Sequence, residues 1–300
     1  MKEFPIPVVG FGAGPGSQVE EEVLSYMAMP QGMETFRAPI LPEPEELKGH
    51  ELALAALHAV LAALQSAAQM PTPSPTQTHS QAKHSVDVLN LPAKEKALIN
   101  QVLGEGEVSA VVAGDAQNAR SWHIQESVFP GVWRVIASVG GQVVQDRIEV
   151  GAIPDVLVQT ALADVTPALP TWQGPLPPNV QNAPSVLAEL KDHWQSWTFG
   201  ADVQVINLTL LPMSVEDIGF IDHHLGTGRI TILSRGYGNC RITNAQMPHC
   251  WRVVYYNSQD AVILNTVEVG PLPSVAQAAA EDLQDSLERF SEVLAWVESP

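Results

Sequence analysis

The chain is poor in cysteine and in positive charge. Cys240 and Cys250 are its only thiols in 300 residues. So sparse a set excludes a disulfide-stapled scaffold and fits a reducing compartment. Lysine and arginine together number 15 against 33 acidic residues, a formal charge of −18. That sign excludes nucleic acid as a general partner, because phosphate binding draws on clustered cations. It favours attraction of basic segments instead. No nucleophile elbow, phosphate loop, dinucleotide fingerprint or His-Glu-x-x-His pattern is present. The glycines of Gly12–Gln18 lack the Lys-Ser/Thr ending that a phosphate loop needs. The chain is therefore read as non-catalytic, with no assigned catalytic or metal-binding residue and no resident cofactor. No targeting segment is read at its start. Leu52 to Met70 carries no formal charge, yet it contains His58, Gln65 and Gln69 and has no cluster of basic residues at either end. It is read as a helix of a cytoplasmic protein with no membrane span.

What the sequence does have is an internal match. Leu103-Gly104-Glu105-Gly106 through Val150-Gly151 corresponds to Leu225-Gly226-Thr227-Gly228 through Val269-Gly270. Between them Trp133-Arg134-Val135 answers Trp251-Arg252-Val253, and Glu149-Val150-Gly151 answers Glu268-Val269-Gly270. Upstream, Val88-Leu89-Asn90-Leu91 is set against Val205-Ile206-Asn207-Leu208. Matches that keep their order over this length point to duplication of a domain-sized unit.

Local signals give each unit the same elements. In the first, a strand from Ser85 leads to a helix opened by Pro92 and stopped at Gly104, a glycine suited to the left-handed stop. Alternating runs at 107–113, 120–126, 132–139 and 143–150 read as strands, with Gly140-Gly141 a two-residue hairpin turn. A helix follows Pro154. In the second, a strand over 201–210 precedes the capping box Ser214-Val215-Glu216-Asp217 and a helix ending at Gly226. Strands at 229–235, 239–243, 251–256 and 261–269 follow, then a helix over 274–297.

The predicted class is thus α+β: tandem duplicated units, each a strand, a helix, a four-strand antiparallel meander and a helix. An extended arm and a long helix precede them. The divisions are 1–83 for arm, helix and Pro-rich linker, 84–165 for the first unit, 166–200 for a second linker with its connecting helix, and 201–300 for the second unit. In the long helix Leu54, Leu57, Leu61 and Leu64 form one apolar stripe. That stripe suits a core helix, and alternatively a homodimer or partner contact.

His223 to Ser258 contains no acidic residue but four arginines, Arg229, Arg235, Arg241 and Arg252. This meander is a local basic zone on an acidic protein and the first place to look for a docking surface. The competing account gives each arginine a separate local task, such as Arg252 pairing with a helix carboxylate. Cys240 follows the turn Gly236-Tyr237-Gly238-Asn239, which should display it. Nearby arginines would favour its thiolate.

The run Gly236 to Ile242, then Trp251, Tyr255, Asn257-Ser258 and Ile263 to Val269, resembles the HupH/HyaF/HoxQ family of hydrogenase expression/formation proteins. The arm agrees, with Gly14-Pro15-Gly16-Ser17-Gln18, Tyr26-Met27, Met33, Thr35-Phe36, Pro39 and Leu41-Pro42-Glu43. The resemblance implies an accessory protein for maturation of a membrane-bound nickel–iron hydrogenase. Its client would be the iron–sulfur small-subunit precursor before export, with another maturation protein of the operon as a second partner. The candidate binding residues are Tyr237, Asn239, Cys240, Arg241, Trp251, Arg252, Arg229 and Arg235, with Met27, Met33 and Phe36 on the arm. The alternative is an iron–sulfur carrier or thiol-dependent factor that uses Cys240 and meets a cluster transiently.

Overall fold

The computed structural model describes residues 49–69, 84–114, 119–166, 172–236 and 238–298. The described residues fall into two compact bodies that interleave along the chain. One takes the described residues up to Thr160, then Arg229–Gly236 and those from Ser274 onward. The other takes 161–228 and 238–273.

The first body opens with helix α1 (Glu51–Ala68). Strand β1 (Ser85–Asp87), helix α2 (Ala93–Leu103) and the meander β2 (Val108–Val112), β3 (Arg120–Glu126), β4 (Val132–Val139) and β5 (Gln142–Val150) follow, then helix α3 (Asp155–Ala163). The strands lie in the order β1-β5-β4-β3-β2. Gly140 and Gly141 both have positive φ, 56° and 79°, which is why this hairpin closes in two residues. Two late elements complete the body. Strand β7 (Thr227–Ser234) pairs antiparallel with β2, and helix α6 (Ala280–Val297) packs on α1.

The core of this body lies between its helices and one sheet face. Leu57, Val60 and Leu64 of α1 meet Ile99 and Val102 of α2, Ile148 and Val150 of β5, and Phe290 and Leu294 of α6. Leu54 and Leu61 pack at its margin, so the apolar stripe of α1 is occupied within the body. Among the described helices α1 alone is long and apolar enough to cross a membrane, by length and composition.

The second body contains α4 (Ala183–Ser196), β6 (Gln204–Asn207), α5 (Val215–Leu225), β8 (Asn239–Ala245), β9 (Cys250–Tyr256) and β10 (Val262–Val269). Its strand order is β8-β9-β10-β6, the order of β3-β4-β5-β1. The registers agree as well. Trp133 faces Glu149 across β4 and β5, and Trp251 faces Glu268 across β9 and β10. Ser214 caps α5 as its sequence predicts, accepting the N–H of Asp217 at 2.9 Å while Asp217 returns the bond to the Ser214 N–H. Val186 and Leu190 of α4, and Ile218 and Ile221 of α5, cover Ile206, Val267 and Val269.

Two expectations change. The leading strands are short, because Asp87 and Asn207 each accept the N–H two residues on, at 2.8 and 3.0 Å, and turn the chain out of the sheet. The upstream sequence match also shifts. Asp87 lies opposite Arg147 and Asn207 opposite Thr266, so these two are the equivalent positions and Val88 corresponds to Leu208, not Val205.

Candidate functional site

Strand alternation decides which of the expected residues meet. In register, Asn239 faces Tyr256, Arg241 faces Val254 and Thr243 faces Arg252. Residues at these alternate positions share the face that α4 and α5 cover. Cys240 and Trp251 belong to the opposite face, since each lies one residue away along its strand. The sheet therefore gathers Arg241 and Arg252 and sets Cys240 and Trp251 apart from them.

Arg241 and Arg252 line a small cleft of about 80 Å³ together with Asp222, Leu225, Gly226, Thr243, Asn244 and Tyr256. The Gly226 backbone ends α5 with a φ of 65° and lets the chain turn straight from helix into β7 at the cleft edge. Arg241 sits 6.0 Å from the Tyr256 ring centre, a cation–π contact. Asp222 approaches Arg252 with 3.6 Å between Oδ1 and Nε. Arg252 thus has the helix carboxylate that a purely local role would need, but at a separation beyond a good hydrogen bond.

Burial dominates the electrostatics. It pulls the Arg252 pKa below the usual value, with Asp222 acting the other way. Arginine nevertheless stays charged at any pH the protein meets. Burial also raises the Asp222 carboxyl, opposed by Arg252. Both terminal nitrogens of Arg252 and the Nε of Arg241 are buried without a hydrogen-bond partner. The cleft carries two guanidinium charges against one carboxylate.

The thiols are not displayed. Cys240 is 3% exposed, contrary to the expectation from its turn, because the strand begins at Asn239 and points it inward. Burial pushes its pKa up to about 12, despite a hydrogen bond with Tyr255, and Glu268 adds to the rise. Cys250 lies on the opposite sheet face and is likewise raised by burial to about 12, with Arg252 opposing. The arginines therefore do not produce a thiolate. Among the described residues no group of three or more His, Cys, Asp and Glu could hold a metal ion.

Of the other expected residues, Asn239 is half-buried beside the cleft strands. Arg229 and Arg235 belong to β7 and its end, in the first body, with Arg235 exposed. Tyr237, Met27, Met33 and Phe36 lie outside the described residues. Sequence pattern does not single out Asp222, Thr243 or Tyr256. Strand alternation counted from Arg252 would have found Thr243 and Tyr256; Asp222 needed the helix packing.

The second body also exposes apolar surface. Trp197, Phe199 and His249 stack with ring centres 4.8 to 5.2 Å apart beside a shallow groove that Trp194 completes. Phe199, Val205 and Ile263 are each at least half exposed, and Leu210 is 81% exposed. Val205 stands on β6, the last strand of its sheet.

Comparison with known proteins gives the chain a set of relatives. The family model described as the C-terminal conserved region of HupH hydrogenase expression protein matches twice, over residues 55–173 and 180–297. The chain is 49% identical to hydrogenase expression/formation protein HoxQ of Cupriavidus necator, over all of both proteins. It is 45% identical to hydrogenase expression/formation protein HupH of Rhodobacter capsulatus over 98% of each. Similarity extends to the hydrogenase-1 operon protein HyaF of Escherichia coli, 36% identical over 71% of this chain and 73% of that protein. Among solved structures, the hydrogenase expression protein HupH of Thiobacillus denitrificans matches 38% of this chain and 95% of that one, at 22% identity and a TM-score of 0.36.

Proposed function

The chain belongs to the HupH family of hydrogenase expression/formation proteins, and we propose that it is a non-catalytic holder of an immature hydrogenase subunit. The client is the iron–sulfur small-subunit precursor of a membrane-bound nickel–iron hydrogenase, kept in the cytoplasm until its clusters are in place. The full-length match to a hydrogenase expression/formation protein carries the reading. Supporting it are the exposed Phe199, Val205, Leu210 and Ile263, apolar side chains of the second body that a client's apolar surface could cover. The −18 charge suits a client that bears a basic export signal. The buried thiols disfavour the alternative in which Cys240 carries a cluster.

The two halves, in this reading, descend from one copied unit. Their common strand order, common register and double family match support that history.

The test is co-purification. Tagged full-length protein, isolated from cells that express the hydrogenase operon, should retain the small-subunit precursor and release it once the subunit matures. Retention of no hydrogenase subunit, from cells where the precursor is abundant, would reject the proposal. Loss of binding in a protein with Leu210 and Phe199 changed to Ser would assign the contact to the exposed apolar residues.

A further inference from the structure

Arg134 and Arg252 occupy equivalent positions in the two halves, but their surroundings differ. Arg134 lies opposite Ile148 on β5, and Arg252 opposite Val267 on β10. Two residues before those partners stand Asp146 and Asn265. On the covering helices, five residues after the first-turn acids Glu95 and Asp217, stand Asn100 and Asp222. The acid and the amide have therefore exchanged places between strand and helix.

The exchange changes how the guanidinium is satisfied. Asp146 holds Arg134 through two bonds, Nε to Oδ1 at 2.6 Å and Nη2 to Oδ2 at 2.9 Å. Asn100 accepts the remaining Nη1 at 3.0 Å, and Lys96 balances Asp146 at 3.1 Å. That set is closed. In the second half Asp222 stops 3.6 Å from Arg252 Nε. Nη1 and Nη2 of Arg252 and Oδ1 of Asn265 are buried without partners. A buried charge left without hydrogen bonds is costly, and an arriving anion recovers that cost.

We infer that the Arg241–Arg252 cleft is a carboxylate-binding site, receiving from outside the group that Asp146 supplies internally in the first half. The planar, two-pronged geometry at Arg134 sets the chemistry as carboxylate. At about 80 Å³ the cleft admits the carboxylate and little more, so the rest of the ligand stays outside it. The acid-free stretch from His223 to Ser258 lets an anion approach a chain that is otherwise strongly negative. The inference concerns the cleft alone and stands apart from the choice of client.

The experiment uses full-length protein with isotope-labelled arginine and follows the Arg252 Nε–Hε signal by NMR. It is titrated at constant ionic strength with acetate, with a blocked tripeptide Gly-Glu-Gly, with inorganic phosphate and with chloride. Acetate should give a saturable shift that chloride does not. A tighter response to the peptide than to acetate identifies a polypeptide side chain as the source; equal responses identify a free carboxylate. Asn265→Asp should bring in the missing internal carboxylate, raise the thermal midpoint and abolish the acetate shift. Asp222→Asn, which removes the competing acid, should strengthen the acetate response. No saturable shift with acetate or peptide would overturn the inference. So would a response to phosphate stronger than to either, or an unchanged acetate response in a folded Asn265→Asp protein.

Discussion

Asp217 in the first turn of α5 accepts the N–H of Ala183 in the first turn of α4, with a distance of 2.9 Å to Oδ1. The same oxygen takes the N–H groups of Gln181 and Asn182, at 2.8 and 2.9 Å, and the second oxygen takes Ser214. One buried carboxylate thus caps two helices at once. The first half has a simpler counterpart, in which a carboxylate on one helix caps the start of another. Glu95 in the first turn of α2 accepts the N–H of Ala53 in the first turn of α1 at 2.9 Å.

Asp217→Ala should destabilise the second body by roughly 2–4 kcal/mol, since several buried N–H groups lose their acceptor together. Burial acts to raise the Asp217 pKa, but the N–H donations of Ala183, Ser214, Gln181 and Asn182 outweigh it and hold the carboxyl below its ordinary value. A depressed folded pKa gives stability that is present above the ordinary pKa near 3.8 and lost as pH falls through the folded value. Urea midpoints of wild type and Asp217→Ala should therefore differ at neutral pH and converge in strong acid.

Glu126 behaves in the opposite sense. Burial raises its pKa to about 7, against the N–H groups of Gly131 and Val108, and Glu107 and Asp282 add to the rise. Its contribution is fully present below the ordinary pKa of 4.5 and is lost as pH rises through about 7. The loss amounts to at most about 3.5 kcal/mol, from about 1.4 kcal/mol per pKa unit. Glu126→Gln should flatten the dependence of stability on pH across that window and be the more stable protein above it. Urea midpoints at about pH 5 and pH 8 check this by linkage.

With both thiols raised by burial to about 12, the thiolate fraction at pH 8 is only about one in ten thousand. Iodoacetamide should leave Cys240 and Cys250 unmodified in the native protein and label both in denaturant. Mass spectrometry reads the result, and prompt native labelling of either residue would restore the thiol mechanism. Cys240→Ser should leave hydrogenase maturation intact.

Phe290 of α6 is fully buried and meets Phe129 edge to face, with ring centres 4.9 Å apart. Phe290→Ala removes that contact from the centre of the first body and should cost about 3–5 kcal/mol. Hydrogen exchange should then accelerate in α1 as well as α6, because the two helices share one core.

Much of this architecture was legible in the chain. β3 and β4 run over 120–126 and 132–139, where alternation places them, and Gly104 and Gly226 stop their helices with φ of 58° and 65°. Local chemistry sufficed there. The leading strands were overestimated because the side chains of Asp87 and Asn207 compete for backbone N–H groups, which periodicity does not register. The site divided in the same way. Arg241 and Arg252 follow from the charge pattern; nearness in sequence sets Cys240 beside them, and Trp251 joins the set through the family resemblance. Adjacent strand residues point to opposite faces, so nearness along a strand was misleading.

The interleaving of the two bodies has a consequence for biosynthesis. The body that contains α1 lacks strand β7 until residue 234 is made and helix α6 until residue 297 is made. Phe129, Val132 and Leu57 therefore emerge from the ribosome long before Phe290 and Leu294 exist to cover them. Closure of that core is thus a late, long-range event, and folding should be slow and sensitive to loss of α6.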